Sequence, residues 1–345
     1  MEEHFTKKRL PEFDIAKGIA IICVILGHLG VWNITRVVYT FHMPIFFLIS
    51  GYFLSCRKDL IAFIRTKVRQ LLVPYYMTCF FICCFSIPVS LLLGRNIIDQ
   101  LKIWICGSLY GSGAAPGVWH SFPSFIGALW FLLALFWGTC IVRYVFENYG
   151  NKLLLSGGCI LVISYIGWAT AQKVWLPLSI QAGMTAAGFI FLGYLARKYD
   201  ILSIKYSKIT YLFLIGIVAW CIKFYKNLAM VNCAFENGFM DILGALAASF
   251  LILKTCQWIT EKNYIHSITN VFAWYGRYSI IILAFHIIEL DLLPWNEIKD
   301  LLLSKEYPVM GIIIFFICVK ILWATLGTIV VLHVQWLRNI YLGQR

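Results

Sequence analysis

Long apolar runs separated by short basic ones dominate this chain. Ten segments are apolar enough to cross hydrocarbon as helices: residues 14–32, 39–56, 70–93, 125–146, 153–172, 180–196, 209–226, 236–256, 272–293 and 309–335. Most approach the length needed for a bilayer core of about 30 Å. The runs are continuous rather than alternating, which argues against a transmembrane β-barrel. The expected fold is therefore all-α: a polytopic membrane protein of about ten transmembrane helices, one domain over residues 1–345. The first run follows Lys7, Lys8 and Arg9 as a signal peptide would. It contains Lys17, lacks a small-x-small cleavage site and leads into further spans, so it reads as a retained helix.

Two connections break the pattern. Residues 57–69 alternate basic side chains with Leu60, Ile61, Phe63 and Ile64, which suits a short amphipathic helix at the inner membrane surface. Residues 94–124 read as the longest outer loop, rich in glycine and aromatics such as Trp104, Tyr110, Trp119 and Phe122.

Composition agrees: 61% of residues are hydrophobic and 13% charged, too few charges to cover a soluble exterior of this size. The net charge of +13 is scattered among short loops rather than gathered in a basic domain, so nucleic-acid binding is not expected. Its distribution sets the orientation. The face holding both termini carries 18 lysines and arginines against 8 on the other, which marks it as cytoplasmic, in a cell (inner or cytoplasmic) membrane. The twelve cysteines lie mostly inside apolar runs, where they act as small hydrophobes, and no zinc-type pairing of CxxC motifs occurs. No metal is expected.

The chemistry sits where polar residues interrupt apolar segments. Ionisable groups in hydrocarbon are costly unless paired or lining a polar cavity, and so mark function. Lys17 and His28 are eleven residues apart. On a helix that is three turns plus roughly 20°, with a rise of roughly 16 Å, so both lie on one face at different depths. The assigned orientation gathers His28, His42, His286, Glu236, Asp241, Glu289 and Asp291 in the outer half, and Lys17, Arg57, Arg65, Lys67 and Arg69 at the inner rim. A histidine oriented by a carboxylate is a general base, and a Lys/Arg cluster holds phosphates. The separation suits a long flexible donor such as coenzyme A, phosphates at the rim and thioester reaching inward.

DIAKGIAIICVILGH (14–28) followed by FHMPIFFLISGYF (41–53) resembles the opening of the integral-membrane acyltransferase family 3, with its Arg or Lys, ten residues, then His. KVRQLLVPYY (67–76), ALWFLLALF (128–136), GFIFLGYLARK (188–198) and YGRYSIIILAFH (275–286) continue the family's order. The last two, with lysine at 17, look closest to the fucose O-acetylase-like branch. The resemblance implies a donor, acetyl-CoA or another acyl-CoA, at the cytoplasmic side and a saccharide or lipid-linked glycan hydroxyl as acceptor. It implies His28 as base or transient acyl carrier, and Lys17 and Arg69 serving the donor.

Each assignment has a plainer reading beside it. Lys17 either serves the donor or snorkels to the interface, and Arg65 and Arg69 are either donor ligands or ordinary inside-positive anchors. Asp241 is the preferred carboxylate for orienting His28. His286 either supports the base or bonds between helices, and His42 either takes part in chemistry or caps a span. Trp119 and Trp130 are candidates for stacking on a sugar, or form part of an interfacial aromatic belt. Ser50 and Gly51 suit a close helix contact. The competing functional class is a secondary transporter or flippase, which also needs intramembrane His, Lys and Asp.

Overall fold

The computed structural model describes residues 10–56, 59–114, 125–150, 152–262 and 266–343. Helix α1 (Pro11–Gly27) opens on proline, whose missing N–H costs nothing in a first turn, with Glu12 and Asp14 at the positive end of the helix dipole. Two shorter helices follow, α2 (Trp32–Val38) and α3 (Pro44–Tyr52). Asp59 caps α4 (Leu60–Lys67) by accepting the Ala62 N–H at 3.2 Å. A π-helical turn at Val68–Leu72 carries α4 straight into α5 (Val73–Leu92) as one helix of 33 residues. Pro74 offers no N–H to the carbonyl four residues back, so the backbone widens there rather than breaking. The basic stretch expected to lie apart on the membrane surface is thus the first part of a long span, over its described residues 59–69.

The expected outer loop also begins as a helix. Asn96 accepts the N–H groups of Ile98 and Asp99 at 2.9 and 3.3 Å to start α6 (Ile97–Tyr110), and Gly111 ends it in the left-handed conformation at φ 67°. Trp104 and Tyr110 are buried rather than presented outward. Residues 115–124, including Trp119 and Phe122, lie outside the described residues.

A short 3-10 turn over Gly127–Leu129 leads into α7 (Trp130–Tyr149), followed by α8 (Leu153–Ala171), α9 (Ile180–Lys198) and α10 (Lys208–Lys223). Next comes a minimal antiparallel hairpin of β1 (Leu228–Ala229) and β2 (Ala234–Phe235), then α11 (Phe239–Lys262). The segment expected as a single span at 272–293 belongs to two helices, α12 (His266–Arg277) and α13 (Ser279–Leu292), bent by 73°. Amphipathic α14 (Trp295–Ser304), span α15 (Val309–His333) and amphipathic α16 (Gln335–Leu342) complete the chain.

Among the described residues, six helices are long and apolar enough to cross a membrane, or seven if the bent α12–α13 pair counts as one. Three of the ten expected spans form shorter helices: α1 of 17 residues, α3 of 9 and α10 of 16. The chain is an all-α, multi-pass membrane protein.

Two glycine crossings bring helices close enough to build a site. A Cβ on Gly18 would collide with the Phe272 carbonyl, and one on Gly276 with that of Asp14, so α1 and α12 touch backbone to backbone. Gly51 and Gly193 do the same for α3 and α9, against Ile190 and Leu48. Lipid gives no hydrophobic drive for helix association, so such small-residue contacts carry much of it. Gly51 therefore makes the close contact its sequence position suggested.

Candidate active site

A cavity of about 540 Å³ runs along one face of α1, lined by Lys17, Ile21, Val24 and His28. Those spacings of four, three and four residues are one stripe of an α-helix, so the Lys17–His28 alignment is realised as a cavity wall. The opposite walls come from α3, from Trp130 and Phe131 of α7, from residues 276–281 at the α12–α13 bend, and from Leu228–Val231 around the hairpin.

At the His28 end a buried polar chain crosses four helices. The Nδ1–H of His28 donates to the Val24 carbonyl at 2.8 Å, and the same nitrogen is 3.3 Å from Nε2 of His286 on α13. A carbonyl only accepts, so Nδ1 of His28 carries the proton and Nε2 is left with a free lone pair. Nδ1 of His286 donates to Oε1 of Glu289 at 2.8 Å. Glu289 also accepts from Lys320 of α15, whose Nζ is 3.1 and 2.9 Å from its two oxygens. Trp295 closes the chain: its ring lies 4.0 Å from Lys320 Nζ, and its indole N–H donates to the Glu289 backbone carbonyl at 3.0 Å. His286 and Glu289 are fully buried and Lys320 is 2% exposed. A carboxylate there is tolerable because two donors hold it.

Asp241, the carboxylate preferred from sequence for orienting His28, is occupied elsewhere. It accepts the backbone and side-chain N–H of Asn237 at 2.9 and 3.3 Å, closing the turn before α11, and does not line the cavity. Glu289 holds the carboxylate position behind the histidines. His42 does line the cavity; its Nδ1 donates to Val38 at 2.9 Å and its ring packs 4.7 Å from Tyr39. Trp130 is buried in the cavity wall. Trp119 lies outside the described residues.

The basic lining differs from the sequence choice in a way helical geometry explains. Lys17, paired to Asp14 at 2.8 Å, shares the cavity with Lys67 and Arg277. Arg65 and Arg69 are exposed and do not line it. Residue 67 is two positions from each, about 200° around a helix, so when Lys67 faces in, both arginines face out. Because Gly276 abuts the Asp14 backbone, Arg277 sits level with the Lys17 turn. Among the described residues no group of three His, Cys, Asp or Glu side chains is arranged to hold a metal ion.

A family model described as an acyltransferase domain matches residues 10–337. The chain belongs to acyltransferase family 3. It is 27% identical over 166 residues to the nodulation protein NolL of Sinorhizobium fredii, covering 44% of this chain and 40% of that one. It is 37% identical over 136 residues to the NolL of Mesorhizobium japonicum, covering 35% of each. The chain thus spans less than half the length of these curated relatives. No solved structure matches it. In this family member, sequence alone did not assign Lys320, Trp295 or the cavity-facing Arg277, and it placed Glu289 and Lys67 by depth only, in the outer half and at the inner rim. Glu289 carried a usable signal, three residues after His286 on an apolar helix.

Proposed function

We propose that this protein is a multi-pass O-acyltransferase of a cytoplasmic membrane. It moves an acyl group, acetyl in the first instance, from acyl-CoA to a hydroxyl of a saccharide or glycan precursor, as expected for the fucose O-acetylase-like branch. With the N-terminus on the cytoplasmic side, as the bias of lysine and arginine indicates, the Lys17 end of the cavity lies inside, where acyl-CoA is made. The observation that carries the reading is a single cavity lined by Lys17, Lys67 and Arg277 and also by His28, with a free imidazole lone pair.

In this mechanism the basic side chains take the coenzyme A phosphates by charge-assisted hydrogen bonds, and the pantetheine arm runs along the Ile21–Val24 wall. As the acceptor oxygen attacks the thioester carbonyl, its proton passes to Nε2 of His28. The C–S bond breaks, and His28 returns that proton to the departing thiolate, giving ester and free coenzyme A thiol. The imidazolium that forms in between is backed by His286 and Glu289.

Purified protein in nanodiscs, given radiolabelled acetyl-CoA and a panel of glycans, should release coenzyme A thiol with matching transfer of label. A positioned base contributes about 10²–10⁴-fold, so His28→Ala should lose at least that much while still binding coenzyme A. Near-normal transfer by His28→Ala would refute the assignment. Solute uptake in proteoliposomes without acyl-CoA consumption would favour a transporter instead.

A further inference from the structure

We infer that Lys320 is a positioning residue whose charge keeps the His28–His286 pair neutral at rest, and hence keeps His28 able to take a proton. The inference rests on the reading of His28 as base. The chain of contacts is Lys320 to Glu289, Glu289 to His286, and His286 to His28, with spacings of 2.9, 2.8 and 3.3 Å between the nearest atoms. Every polar atom in it has a role. Lys320 donates to both Glu289 oxygens, Glu289 fixes the His286 tautomer with its proton on Nδ1, and the bare Nε2 of His286 faces His28.

The charge count decides what the chain can do. With Lys320 present, Glu289 is already compensated, so the pair needs no proton until the reaction delivers one. Without it, an uncompensated buried carboxylate would draw a proton onto the imidazoles, as an opposite charge within a few ångströms does. A base already protonated cannot accept the acceptor's proton. Lys320 itself reaches neither His28 nor the cavity lining, so it acts through Glu289. The Trp295 ring holds its ammonium in place by a cation–π contact, a favourable arrangement where water is excluded. Among the described residues, the other titratable groups beside this cluster are His42, which packs on Tyr39 in the segment before α3, and Asp291 on α13. None of these three is altered in the variants below.

The test is the pH dependence of acetyl transfer for the native protein, Lys320→Met, Glu289→Gln and the double variant, with coenzyme A binding measured on each sample. Methionine keeps most of the lysine stem, so packing is largely preserved. Lys320→Met should move the acid limb of the rate profile to higher pH by about one unit or more, with activity recovering as pH rises. Glu289→Gln should move it the other way and slow transfer throughout, because the imidazolium loses its backing charge. The double variant, neutral again, should return the limb close to its native position. An unmoved limb in Lys320→Met, or an equal loss at every pH, would overturn the inference. If Lys320→Met does not fold, Glu289→Gln decides alone, and an unmoved limb there overturns it. His28→Ala separates this from failure of the base assignment: its loss of transfer preserves that reading even where Lys320 proves silent.

Discussion

Lys67→Ala tests the donor end of the cavity most sharply, because its neighbours on the same helix supply built-in controls. Lys67 lines the cavity and is half-buried, with its Nζ 5.5 Å from the Phe63 ring centroid. Among the described residues, the only ion pair made by the three cavity cations is Lys17 with Asp14, so Lys67 and Arg277 have charge to offer an anion. A phosphate about 4 Å from such a charge gains on the order of 4 kcal/mol in gross Coulomb energy at an effective dielectric of about 20. After desolvation, a charge-assisted hydrogen bond nets about 1.5–3 kcal/mol, or about 10- to 150-fold in affinity. Arg65 and Arg69 carry the same charge one turn apart on the exposed side, where removal should cost less than about threefold, and less still at high salt. The assay is isothermal titration of coenzyme A into purified Lys67→Ala, Arg65→Ala and Arg69→Ala in nanodiscs at two ionic strengths. Equal losses for Lys67→Ala and Arg69→Ala, or a Lys67→Ala loss within twofold, would refute the placement of the donor.

Other outcomes test the scaffold. Gly276→Val forces a side chain into the Asp14 carbonyl and should cost about 1–3 kcal/mol or more, read as a lower melting temperature and yield, whereas Gly216→Ala, with open space around it, should change stability by far less. For the membrane orientation, an impermeant thiol reagent should label a cysteine at Arg65 only after the membrane is opened, and one at Lys102 from outside. Labelling of position 65 from outside would reverse the orientation and the donor side with it.

How much of this was legible in the sequence depended on the range of the signal. Lys17 and His28 announce themselves because helical periodicity is local and both interrupt an apolar run. The two ends of α6 were also written locally, in Asn96 and Gly111, but the glycines and aromatics around them favoured a loop reading. The bend between α12 and α13 left no proline to mark it. Lys320 was visible as a charge in a span, yet its partner Glu289 lies 31 residues away on another helix, and no one-dimensional pattern pairs them. Asp241 was preferred because depth alone cannot separate competing carboxylates; only the fold shows that Asn237 already occupies it.

Lys17 stands in α1 and His28 caps its C-terminal end, and that has a consequence for substrate choice. The distance between the Lys17 end and the His28 end of the cavity is a fixed gauge of roughly 16 Å, set by backbone hydrogen bonds rather than by packing. How neighbouring helices pack against α1 does not alter it. On the proposed reading the donor is measured by its own arm: the pantetheine of coenzyme A would reach from one mark to the other, and a truncated thioester, however reactive, would fall short.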